Sequence, residues 1–199
     1  MMASRSVPIA LVLCALSITI NYLAGVYATT SASNYVEDII LSNTPVFDVD
    51  LFFVYGAVAL IIFSTLLLLA HPKRIPFTLH ALTLFYLIRA AFVSMTHLGP
   101  FPDQVALDAG ALAAKFFGGA DLFFSGHTGA PFILALIFWH EKRLRYIFLA
   151  TSVFFGIIVL LGHYHYTIDV ASAFFITYGI YHLALWLFPK DRALFLSDK

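Results

Sequence analysis

Apolar positions along the chain gather into six runs, at about 8–28, 51–70, 77–98, 122–139, 146–161 and 166–188. A helix that crosses a bilayer needs about 20 predominantly apolar residues, and each run meets or approaches that length, the fourth and fifth being shortest. Polar and helix-breaking residues fall between the runs: His71-Pro72-Lys73-Arg74, Gly99-Pro100-Phe101-Pro102 and Glu141-Lys142-Arg143. There is no repeat of 20–50 residues and no low-complexity segment. The pattern predicts an all-α, polytopic membrane protein with six transmembrane helices, forming one integral-membrane domain over residues 1–199.

Composition sharpens this. Of the 199 residues 61% are apolar and 11% charged, against about 45–50% and 25% in soluble domains, and the mean hydropathy is +0.92. A chain this short cannot hide so much apolar surface in one soluble core, so a soluble globule, a disordered tail and a disulfide scaffold are excluded. The formal net charge of zero gives no electrostatic support for a nucleic-acid partner. The single cysteine, Cys14, lies in an apolar run and reads as a packed or lipid-facing residue.

Lysine and arginine favour the cytoplasmic side of a bilayer. In a six-span arrangement Arg5, Lys73, Arg74, Lys142, Arg143, Arg145, Lys190, Arg192 and Lys199, nine of the eleven basic residues, fall on one side. Lys115 stands opposite and Arg89 within a span. The loop at 29–50 holds Glu37, Asp38, Asp48 and Asp50 and no basic residue. Both termini are therefore expected in the cytoplasm. A cleaved signal peptide ending near Ala28 is the alternative for the first run, but the run exceeds the usual 7–15 residue core, which favours a retained helix. The absence of an N-x-S/T acceptor site suits a bacterial inner membrane.

Polar residues inside spans are costly and point to function. Arg89 lies in the third run, about two turns from its non-cytoplasmic end. Asp121 to Thr128 opens the fourth run, and His163 to Asp169 the sixth, both on the non-cytoplasmic face. Ser125 suits an N-cap and Gly126 lets a ligand approach the backbone. The following helix terminus favours an anion, with His127 beside it. His165 and Asp169 share a helical face, and the carboxylate can hold one imidazole nitrogen protonated and leave the other as nucleophile or base. The Arg89 fork suits phosphate oxygens. Each feature also has a structural reading: a capped helix, a His–Asp hydrogen bond, or an arginine neutralising Asp121 or Asp169. Together they spell phosphoryl transfer, with catalytic His127, His165 and Asp169 and with Arg89, Asp121, Ser125, Gly126 and His163 as substrate-binding residues. His163 also fits an interfacial histidine.

These residues resemble the type 2 phosphatidic acid phosphatase superfamily, and within it the sphingomyelin synthase-like branch. Gly119-Ala120-Asp121-Leu122-Phe123-Phe124-Ser125-Gly126-His127-Thr128 is similar to that branch's C-G-D-x-x-F-S-G-H-T, and His165-Tyr166-Thr167-Ile168-Asp169-Val170 to its H-Y-T-[VI]-D-V. Arg89-Ala90-Ala91-Phe92-Val93-Ser94-Met95-Thr96 resembles its R-x-x-[YF]-x-x-x-T. The resemblance implies six helices and an exoplasmic site. Its triad is His127, His165 and Asp169, with His165 as nucleophile and His127 serving the leaving group. It also implies a lipid-phosphate or phospholipid substrate, with no metal or other cofactor. The phosphatase motif K-x6-R-P is absent, the arginine expected upstream of His165 reads Val159, and glycine replaces the branch's cysteine. Hydrolysis and transfer to a lipid alcohol both remain open.

Two other classes fit less well. His127, His163, His165 and Asp169 are ligand-capable types, which suggests a metal-dependent membrane hydrolase, although H-x-H is short for one helical face. A non-catalytic transporter would show inverted repeats or broken helices, and only Pro131 in the fourth run hints at one.

Overall fold

The computed structural model describes residues 3–104 and 122–198, and in these it is all-α. Helices α1 (Ala3–Thr30), α2 (Asp50–Ala70) and α3 (Ile75–Met95) precede α4 (Gly126–Ile137), α5 (Lys142–Leu161), α6 (Thr167–Leu187) and the short α7 (Pro189–Leu196). Five of the described helices are long and apolar enough to cross a membrane. Their outer faces carry residues such as Ile61, Leu66, Phe175 and Trp186, all exposed, a surface that only a non-aqueous environment or a partner would tolerate.

The expected fourth span is the exception. The apolar run covers 122–139, yet the helix occupies only Gly126–Ile137, about 18 Å of rise. Ser125 starts the helix late: its Oγ accepts from the Thr128 N–H at 3.4 Å, and residues 122–125 stay non-helical ahead of it. That stretch is buried among protein groups, with Leu122, Phe124 and Ser125 all inside, the condition under which irregular backbone survives at membrane depth.

Helix α1 is apolar on every side, and what faces its neighbour is small rather than more hydrophobic. Ala10, Cys14, Ser17, Ala24 and Ala28 are its buried positions. They recur at near-heptad intervals, which lets two backbones approach closely, and α1 lies along α3 in the most extensive helix pair among the described residues. The main core, around Phe77, Phe85, Phe124, Ile133, Phe148 and Ala173, joins α3, α4, α5 and α6.

The helix ends gather into two layers. At one, α7 folds back on the start of α3 and the end of α4. Arg74 bonds Glu141 and, through Nε at 3.1 Å, Asp198. His80 pairs with Asp191 at 2.9 Å, and Arg192 Nη1 donates to the Ile137 carbonyl at 2.9 Å. Two of the arginines expected to act as topological charges, Arg74 and Arg192, are thus buried and paired as well. At the other layer the loops stitch together: Ser33 N–H donates to the His97 carbonyl at 2.8 Å, Gly99 N–H to Asn34 at 3.1 Å and Phe47 N–H to Leu161 at 2.9 Å. The chemistry-bearing residues sit in this second layer.

Candidate active site

The two histidine motifs meet through the backbone. The Ser125 N–H donates to the Asp169 carbonyl at 3.1 Å, which locks the start of α4 to the first turn of α6. Asp169 is fully buried. Its Oδ2 accepts from the Tyr166 N–H at 2.8 Å, an N-cap contact that fixes the carboxylate, and the same oxygen lies 3.5 Å from His165 Nδ1. This separation is longer than a made hydrogen bond, and catalytic contacts of this kind often tighten only when substrate binds. With Nδ1 turned to Asp169, Nε2 is the nitrogen left for chemistry. His165 is itself nearly buried.

A sharp turn delivers His165. Helix α5 ends at Gly162, where a Cβ would meet the Tyr164 ring at 2.6 Å and Val49 Cγ2 at 2.7 Å. His163 follows in the left-handed region, φ 55°, as residues that end helices often do. The N–H groups of Tyr164 and His165 then return to the Val159 carbonyl at 2.9 and 3.3 Å. His163 is buried, its ring edge-on to Phe101 at 5.3 Å between centroids.

His127 is positioned by aromatic stacking. Its ring lies on Phe53 of α2, centroids 4.0 Å apart, and Phe53 stacks in turn on Tyr164 at 4.5 Å. The Tyr164 hydroxyl donates to Asp50 Oδ1. Burial, with Asp50 and Asp48 alongside, pushes the Tyr164 phenol well above its ordinary value, so it stays protonated and keeps donating.

Arg89 is buried in α3 and crosses to the start of α4. Its Nε donates to the Phe124 carbonyl at 2.9 Å and its Nη1 to Asn21 Oδ1 of α1 at 3.2 Å. Glycine at 126 makes room, since a Cβ there would stand 3.1 Å from Arg89 Nε.

Arg89, Gly126, His127 and His165 line one cavity of about 190 Å³. Its wall continues below them through Ala57, Leu60 and Ile61 of α2, Tyr86 of α3 and Ala130 and Pro131 of α4. From Phe53 to Leu60 along α2 is about 10 Å, so the polar end opens onto an apolar slot. Of the other residues singled out in the sequence, Ser125 is fully buried with its hydroxyl engaged by Thr128. Asp169 stands behind His165, His163 is off the cavity wall, and Asp121 lies outside the described residues. Sequence reasoning missed Asn21, Phe53 and Tyr164. They come from α1, α2 and the α5–α6 turn and carry no motif; the one available signal was an asparagine amid the apolar residues of the first run. Among the described residues, no group of three or more His, Cys, Asp or Glu side chains is arranged to hold a metal ion.

The acidic loop is tied to this site by Asp38. Its Oδ2 accepts from the Thr167 N–H at 2.7 Å, and its Oδ1 from the Thr167 hydroxyl at 2.6 Å and from the N–H groups of Ile40 and Leu41 at 2.9 and 3.0 Å. Burial pushes this carboxyl up, but the hydrogen bonds from Thr167, Leu41 and Ile40 outweigh it and hold its pKa below the ordinary value. A lowered carboxylate pKa contributes stability that is present above the unfolded value and is lost as pH falls through the folded one. Asp38→Asn should therefore destabilise the detergent-solubilised protein at neutral pH by about 1 kcal/mol, as for a lost helix cap, read as a lowered melting temperature. The gap from the unmodified protein should close as pH drops below about 4, and a gap that does not change with pH would show that Asp38 does not anchor the loop as a carboxylate.

No curated protein and no solved structure shows significant similarity to the chain. Over residues 118–186, which hold both histidine motifs and exclude α1 to α3, the chain matches the family model described as PAP2 superfamily C-terminal.

Proposed function

We propose that the chain is an integral-membrane enzyme that hydrolyses or transfers a lipid phosphate or phospho-headgroup through a phosphohistidine, in the manner of sphingomyelin synthase-like proteins. The observation that carries this reading is one cavity with Arg89, the α4 N-terminus, His127 and the Asp169-backed His165 at its polar end and an apolar slot beneath. Such a slot suits a lipid tail.

In the first half-reaction His165 Nε2 attacks phosphorus and the bond to the leaving oxygen breaks. The proton held by His127 passes to that oxygen. Asp169 holds Nδ1–H and stabilises the positive charge that develops on the ring. The Arg89 guanidinium and the α4 N-terminus face the charge on the phosphoryl oxygens. In the second half-reaction water or a lipid alcohol gives its proton to His127 and attacks the phosphohistidine, which restores His165. With Lys73, Arg74, Lys142, Arg143, Lys190 and Arg192 on the elements of the far layer, on this reading the site lies on the non-cytoplasmic side, the periplasm in a bacterial inner membrane.

Purified protein given a phosphate-labelled phospholipid, with and without diacylglycerol or ceramide, tests this. Transfer predicts labelled lipid product only with the acceptor, and hydrolysis predicts labelled free phosphate or phospho-headgroup in both mixtures. Neither product, in protein shown to be folded, would contradict the proposal. Activity abolished by a strong chelator would point to the metal-dependent class instead.

A further inference from the structure

Asn21 is the amide on the packed stripe of α1, whose other polar member, Ser17, spends its hydroxyl on the Cys14 carbonyl of the same helix. It sits four residues after Ser17 and three before Ala24, in register with the small buried residues that pack against α3. An alanine would serve that packing, and an amide inside an apolar helix is costly unless it is used. Its Oδ1 accepts from Arg89 Nη1 at 3.2 Å. Because guanidinium only donates, the oxygen end of the amide is the end that must face Arg89. The Nδ2 group, with two donors, is therefore the available end, and among the described residues no other hydrogen bond involves this side chain. Asn21 also lines the same cavity as Arg89, His127 and His165.

We propose that Asn21 is a substrate-binding residue, contributed by a helix outside the region that carries the histidine motifs. Its Oδ1 steadies the Arg89 fork, and its Nδ2 donates to an oxygen of the phosphate group, so that α1 and α3 clamp the anion from two helices. This rests on the reading of the cavity as a phosphoryl-transfer site.

The test uses the full chain in detergent, with a lipid-phosphate substrate and with orthovanadate as a phosphate mimic. Asn21→Ala should raise KM and the vanadate inhibition constant together by about tenfold, the loss of one hydrogen bond to a charged group, with kcat within about threefold. Asn21→Asp keeps the shape and the oxygen towards Arg89 but removes both donors and adds a negative charge. It should weaken vanadate binding further, and it decides the matter if the alanine variant does not fold. Unchanged KM and vanadate inhibition in these variants, or a loss confined to kcat or melting temperature, would overturn the assignment. Wild-type protein that neither turns over substrate nor binds vanadate would overturn the phosphoryl-transfer reading itself, and the assignment with it.

Discussion

His165→Ala should abolish turnover, by about 10⁴-fold or more, while the protein inserts and melts close to the wild type. The magnitude follows from the proposed role: removing the nucleophile would remove the covalent route, and single losses in cooperating catalytic groups reach this scale. The fold should tolerate the change. Asp169 keeps its hydrogen bond from the Tyr166 N–H, and the α4–α6 junction rests on the backbone bond between Ser125 and Asp169. Asp169→Asn should cost nearly as much, because the amide favours the wrong imidazole tautomer. A purely structural His–Asp pair predicts the reverse, a lowered melting temperature with activity roughly retained. Steady-state rates and thermal melts on both variants separate the two.

Arg89→Lys should lower kcat/KM by about 10²-fold although the charge is kept. The guanidinium spans two groups at once, the Phe124 carbonyl and Asn21 Oδ1, and a lysine ammonium cannot reproduce that planar fork. Loss of one preorganised donor to a developing charge costs about 10²–10³-fold elsewhere. Arg89→Ala should exceed the lysine effect and also lower the melting temperature, since Arg89 ties α1 and the 122–125 stretch to α3. Activity of Arg89→Lys within about threefold of wild type would place the guanidinium outside the reacting centre.

The helices were legible because burial in a bilayer leaves a coarse mark: a run of apolar residues ended by charge or proline. Five of the six runs match long helices to within a few residues. The fourth run could not reveal its short helix, because Leu122, Phe123 and Phe124 are apolar for a different reason, being packed in irregular backbone rather than in a helix. His127, His165, Asp169 and Arg89 stood out as candidates because charge and imidazole are expensive inside apolar spans, and the fold brings them to a common cavity, with Asp169 behind His165. The second layer of the site could not. Phe53 and Tyr164 look like ordinary membrane aromatics until the stack on His127 is seen. Asn21 acquires meaning only from a contact with a residue 68 positions away. His163, chemically as suggestive as His165, sits at a left-handed turn against Phe101, a difference that spacing alone does not encode.

A phosphoryl group carried on His165 is the step on which the proposed chemistry depends. Wild-type protein mixed with a phosphate-labelled lipid substrate in the cold and quenched in alkali, where phosphohistidine survives, should hold label on the peptide bearing His165 and lose it in acid. Label on His127, label that is stable in acid, or rapid turnover with no labelled protein at any time would contradict this mechanism.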